Sequence, residues 1–185
     1  MMKPYEITAA AALAAISAAL QIVHAGWISP WGMWIDIVAV SWIVAYFLYG
    51  SRTAFAVSLV SALIITFVAP STWLGAMTKW TATVPLLFVM LGMEKAMKLK
   101  INDFRRLKYL AIAVFLAAII RAAVLIPLDY YFAIPIWTGW SVSEAMAFVP
   151  WWAIAGINGA QTIVEAALAW LLVFRFKLDR FSVWK

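Results

Sequence analysis

Lys79 and Arg121 stand inside apolar runs, and this placement is the first chemical signal in the chain. An ionised side chain near the middle of a bilayer costs about 2.5 to 3.5 kcal/mol on insertion scales, so each needs a partner or a purpose. Asp36, Asp129, Glu144 and Glu165 are the acids within reach of the same region, and Asn158 and Gln161 add two amides spaced to share one helix face. Such groups find no water in lipid and must face protein, a ligand or a wet cavity. One reading makes them ion pairs that hold helices together, Lys79 with Asp36 and Arg121 with Asp129 or Glu165. The other makes them contacts to a small molecule, since intramembrane ionisable groups mark functional sites. Interhelical hydrogen bonding is the structural role open to Asn158 and Gln161. Glu165 lies deeper and reads as structural.

Other chemistries find little support. The chain has no cysteine and one histidine, His24, which removes disulfides, thiolate catalysis and a transition-metal ligand cluster. A Ser-His-Asp arrangement would need His24 beside residues that spacing does not bring to it. No Gly-x-x-x-x-Gly-Lys-Ser/Thr loop is present to cradle ATP. Two alternatives to a binding protein stay open. One is a membrane enzyme acting on a lipid-like substrate through Asp36, Asp129 and Glu144, although D-x-x-x-D and H-x-x-x-x-D patterns are absent. The other is an ion or proton channel built on Arg121, Lys79 and Glu165.

The elements that must position these residues are membrane helices. With 67% hydrophobic residues, 12% charged residues and a mean hydropathy of +0.97, the 185 residues cannot present a polar surface to water. A single domain spanning 1–185 is expected. Six apolar runs approach the roughly 20 residues a helix needs to cross a bilayer. They are Ile7 to His24, Ile35 to Tyr49, Thr53 to Ala69, Leu74 to Met93, Tyr109 to Pro127 and Val149 to Phe174. The first has alanines suited to a signal peptide but no convincing cleavage site, and is expected to be a retained helix. Gly50-Ser51-Arg52 makes the second and third an antiparallel pair. The segment from Gly26 to Trp34, broken by Pro30 and Gly32, is expected to fold back over the outer face.

Six helices place both termini on one side. Twelve of the fourteen basic residues fall there, on Lys3, Arg52, the Lys95 to Lys108 loop and the tail from Arg175, which makes that side cytoplasmic. The net charge of +6 is therefore a topology signal and does not point to nucleic acid. Arg121 lies twelve residues into the fifth run, roughly 18 Å from the inner surface at 1.5 Å per residue. Lys79, Asp36, Asp129, Glu144, Asn158 and Gln161 fall in the same outer half, and His24 ends the first helix there. Nine of the twelve tryptophans do so too: Trp27, Trp31, Trp34, Trp73, Trp80, Trp137, Trp140, Trp151 and Trp152. A belt alone would populate both interfaces, so the excess points to indole surfaces around a planar ligand. The stretch from Asp129 to Glu165 is expected to form the wall and lid of that pocket. In the first helix, Ala10, Ala14 and Ala18 recur every four residues, with Ala11, Ala15 and Ala19 beside them. Such rows admit another helix backbone, and this helix is expected to offer little to a ligand.

Taken together, the size, the six runs, the alanine rows and the outer pocket resemble the substrate-binding S components of energy-coupling factor (ECF) vitamin transporters. The segment from Asp129 to Trp137, DYYFAIPIW, is similar to N-Y-F-x-x-x-P-x-Y of the riboflavin-binding members, and Ile157-Asn158-Gly159-Ala160-Gln161 to their P-F-N-x-x-K-G. Asn158 matches the family asparagine, Asp129 replaces an asparagine and Gln161 replaces a lysine. Riboflavin is the best match, with thiamine or pantothenate open. The resemblance implies an all-α S-component bundle in the cell membrane that is no enzyme and has no cofactor. It would take up a vitamin from outside and release it inward with a transmembrane T subunit and two ATPase subunits. Lys79, Asp129, Tyr130, Trp137, Asn158, Gln161, Asp36 and Arg121 would meet the ligand. Ala10, Ala14, Ala18, Ala11 and Ala15 would meet the T subunit.

Overall fold

The computed structural model describes residues 3–23, 26–68 and 72–184. His24, Ala69 and Lys185 lie outside them. Eight α-helices follow one another: α1 (Pro4–Ile22), α2 (Val40–Tyr49), α3 (Ser51–Val68), α4 (Thr72–Met97), α5 (Leu107–Leu128), α6 (Ile134–Thr138), α7 (Val142–Phe148) and α8 (Trp151–Trp170). Five of them, α1, α3, α4, α5 and α8, are long and apolar enough to cross a membrane. The sixth expected span corresponds to α2, which has ten residues, about 15 Å of rise against a hydrocarbon thickness of about 30 Å. It is short because its run begins as a strand. Nine of its ten residues are buried among α1, α3 and α8, so it is the hydrophobic axis of the bundle.

The segment before α2 does fold back, as a two-stranded antiparallel hairpin, β1 (Gly26–Ile28) and β2 (Trp34–Asp36), with Gly26 opposite Asp36. A Cβ at Gly26 would stand 2.8 Å from the Asp36 Cα, closer than a side chain tolerates, so only glycine lets the strands meet there. The Ser29 amide donates to the Met33 carbonyl at 2.8 Å and closes the turn. This hairpin marks one end of the bundle, and α6 and α7 lie at the same end.

The opposite end begins at Gly50, whose φ of +87° turns α2 into α3 and is a conformation that favours glycine. There the C-terminal tail is tied down by the Val183 amide on the Leu48 carbonyl at 3.0 Å and the Trp184 indole on the Phe47 carbonyl at 2.7 Å. These donors satisfy carbonyls that the end of α2 leaves open. Because α1 runs antiparallel to α2, its first turn lies at this end as well. The pairing is fixed by Ser17, which donates to the Val38 carbonyl and accepts from the Trp42 indole, each at 2.8 Å.

Ala10, Ala14 and Ala18 are buried in that packing, while Ala11 and Ala15 are exposed. The two alanine rows therefore differ, the first facing α2 and α3 and the second facing away. The basic loop between α4 and α5 also does more than carry charge. It forms a 3-10 turn, Ile101–Arg105, that drives Phe104 into the core against Tyr46 and Phe47.

Candidate functional site

α8 presents Asn158, Gln161, Thr162 and Glu165 along one buried stripe, the spacing of a single helix face. α5 faces it with Arg121, which is 4% exposed. The Arg121 Nε donates to Asn158 Oδ1 at 2.9 Å, and one terminal nitrogen reaches Thr162 Oγ1 and Glu165 Oε2, both at 3.3 Å. The stripe organises itself as well: Asn158 Nδ2 donates to the Ile154 carbonyl and Thr162 Oγ1 to the Asn158 carbonyl, each at 2.9 Å. Of the two expected partners for Arg121, the structure selects Glu165.

The network continues through Gln161. Its Nε2 donates to Glu165 Oε1 at 2.5 Å and to the Asp36 carbonyl at 2.8 Å, while its Oε1 accepts from the Asp36 amide at 2.8 Å. A side-chain amide thus pairs with backbone as a neighbouring strand would, and fixes β2 to α8. The Asp36 carboxylate accepts from the Val38 amide at 3.0 Å and forms an ion pair with Lys79 of α4. Two ion pairs, Lys79 with Asp36 and Arg121 with Glu165, are therefore linked across α4, β2, α8 and α5 through one glutamine. Buried charges persist only when paired in this way.

Above this network, at the hairpin end, lies a cavity of about 550 Å³, within the range of small-molecule sites. Asp36, Lys79, Arg121, Asp129 and Asn158 are on its wall. Four indoles complete it: Trp31 and Trp34 from the hairpin, Trp137 from α6 and Trp140 from the link to α7. Trp31 stands edge-on to Trp152 with centroids 5.4 Å apart, and Trp140 packs edge-on to Phe148 at 5.0 Å. Asp129 is brought to the wall by a π-helical stretch, Asp129–Ala133, that continues α5. Turns of that kind often occur where a helix carries function.

No family model and no curated protein matches the sequence. A solved structure, that of the S component of a bacterial ECF transporter, is similar with a TM-score of 0.73 at 20% identity, over 95% of this chain and 96% of that one. The chain has the S-component fold. It is a multi-pass membrane fold, which the five apolar helices of spanning length among the described residues fit.

Within this S-component fold the expected ligand residues separate into two groups. Asp36, Lys79, Arg121, Asp129, Trp137 and Asn158 converge on the cavity. Two do not line it. Tyr130 is turned into the core, its hydroxyl donating to the Val149 carbonyl at 2.6 Å, and Gln161 is taken up by Asp36 and Glu165 beneath the wall. Four of the nine clustered tryptophans line the cavity, whereas Trp27, Trp73 and Trp151 are exposed in the manner of a belt, and Trp80 donates to Ser58 at 3.2 Å.

α1 contributes Leu20 and Gln21 to the wall, which its alanine pattern concealed. A polar residue in the last turn of an apolar helix was the available signal. The lid is also more ordered than a loop. Pro135 stands in the first turn of α6, Gly139 ends it at φ +75°, and Ser141 and Glu144 form a capping box that opens α7. The Ser141 hydroxyl and amide hold the Glu144 carboxyl below the usual carboxylate range. Glu144 is thus a cap residue, away from the cavity wall. Among the described residues no group of three or more His, Cys, Asp or Glu could hold a metal ion.

Proposed function

We propose that the chain is the substrate-binding subunit of an ECF-type vitamin importer, taking a small planar vitamin at the hairpin end, which faces the outside of the cell. The carrying observation is the cavity itself: in an S-component fold, polar groups from four separate elements and four indoles address one space of ligand size. The basic residues support the orientation, because Arg52, Lys95 and the Ile101–Arg105 turn lie at the opposite end. Energy for release comes from a transmembrane T subunit and two ATPase subunits. The exposed Ala11 and Ala15 row is the face available to the T subunit in the isolated bundle, since Ala10, Ala14 and Ala18 are buried against α2 and α3.

The test is mass spectrometry of small molecules released from protein purified in mild detergent, joined to thermal-shift titration with riboflavin, thiamine and pantothenate. A released vitamin, or a saturable shift that Asn158→Ala weakens, is expected. No released molecule and no shift with any of the three would overturn the reading.

A further inference from the structure

Three carboxylates and two cations form the polar site, and only two of the carboxylates are in a direct ion pair. Lys79 is paired with Asp36 and Arg121 with Glu165. The Asp129 carboxylate lines the cavity, half-buried, within electrostatic reach of Arg121, but it accepts no hydrogen bond and forms no direct ion pair among the described residues. The ionised site therefore carries a surplus of one negative charge, located on the wall beside Trp137 and the hairpin indoles. A carboxylate left without a direct contact to a cation at a membrane-embedded wall is costly, and a cation delivered by the guest is the charge that offsets it. The indoles favour the same guest, since tryptophan is the strongest aromatic partner of a cation and stacks on flat rings. An anionic guest would have to take Lys79 or Arg121 from a carboxylate that already holds it.

Resting on the binding reading above, we infer that the site selects a planar aromatic ligand bearing a positive charge, with Asp129 as its counter-ion and the indoles as its stacking surfaces. The sequence motif by itself favoured riboflavin, which is uncharged; the placement of Asp129 favours a cationic heterocycle instead.

The experiment is calorimetric titration of wild-type protein and Asp129→Asn with thiamine, its uncharged thiophene isostere deazathiamine, riboflavin and pantothenate. Wild-type protein is expected to bind thiamine at least about tenfold more tightly than the other three, as a charge-assisted contact requires. Asp129→Asn is expected to remove most of that margin while leaving deazathiamine binding in place. Because the Asp129 carboxylate holds no hydrogen bond or direct ion pair to lose, the empty variant is expected to melt no lower than wild type, which separates lost binding from lost folding. Tighter binding of riboflavin or pantothenate, or a thiamine margin unchanged in Asp129→Asn, would overturn the inference and leave the binding-subunit reading standing. If none of the four binds and no molecule is released on purification, the binding reading itself fails.

Discussion

The two ends of the bundle are built on different principles. At the tail end, Tyr46, Phe47, Phe104 and Met90 are fully buried, and Phe47 and Phe174 pack with centroids 5.1 Å apart. At the hairpin end a smaller apolar cluster of Leu125, Tyr130, Val149 and Ile154 is joined by buried Asp36, Arg121, Asn158, Gln161 and Glu165, and space is left open. Close-packed rings fix a shape without leaving room, whereas a satisfied polar network can hold walls apart. Under the proposed function, the contrast gives stability mainly to one end and selectivity to the other.

Truncation at each end tests that division. Arg121→Leu leaves Glu165 buried without its counter-ion and is expected to cost about 3 to 5 kcal/mol, with ligand binding lost as well. Phe47→Ala is expected to cost a similar 3 to 5 kcal/mol or so through the cavity it opens, with the dissociation constant unchanged in molecules that remain folded. Unfolding in detergent, followed beside ligand titration, compares the two directly. If Phe47→Ala altered affinity as much as Arg121→Leu, the ends would not be separable. Adding Glu165→Leu to Arg121→Leu sharpens the test, because removing both charges should restore much of the stability without restoring binding.

Smaller changes address the connections. Gln161→Leu strips partners from the Asp36 backbone and from Glu165, at about 1 to 3 kcal/mol, and should loosen the hairpin before the helices. Hydrogen exchange at the Asp36 amide reads this, with faster exchange expected there and little change near Phe104. Ser141→Ala removes the α7 cap at about 1 kcal/mol and should speed exchange in α7 alone. The cap also has a pH signature. A depressed Glu144 pKa contributes stability that is present above the ordinary carboxylate value and lost as pH falls through the lowered one. Protection of α7 should therefore hold at neutral pH and fade only in acid. Fading near neutrality would contradict the cap.

Much of this architecture was legible in composition and spacing because bilayers restrict the choices. The apolar runs located all the long helices, and lysine and arginine inside those runs located the network. Lys79 found Asp36 as one reading expected. The identity of Arg121's partner was not legible, since Asp129 and Glu165 lie on different elements and only packing decides which reaches it. Gln161 and Tyr130 illustrate a second limit. Residue type announced hydrogen-bonding capacity, but whether that capacity goes to a ligand or to a neighbouring backbone depends on a hairpin and a π-helical stretch that no periodicity encodes. The length of α2 was hidden for a related reason, because Trp34, Ile35 and Asp36 continue its apolar run while forming a strand.

The amide bridge between Gln161 and Asp36 has a consequence for traffic into the site. It latches one flank of the mouth to the buried polar face of α8, so that flank behaves as a fixed jamb. The other flank, with Trp137 on α6 and Trp140 in the link to α7, has no comparable tie to the charged network among the described residues. Entry and escape rates should accordingly follow substitutions around Gly139, the hinge between those helices, far more than substitutions in the turn at Gly32.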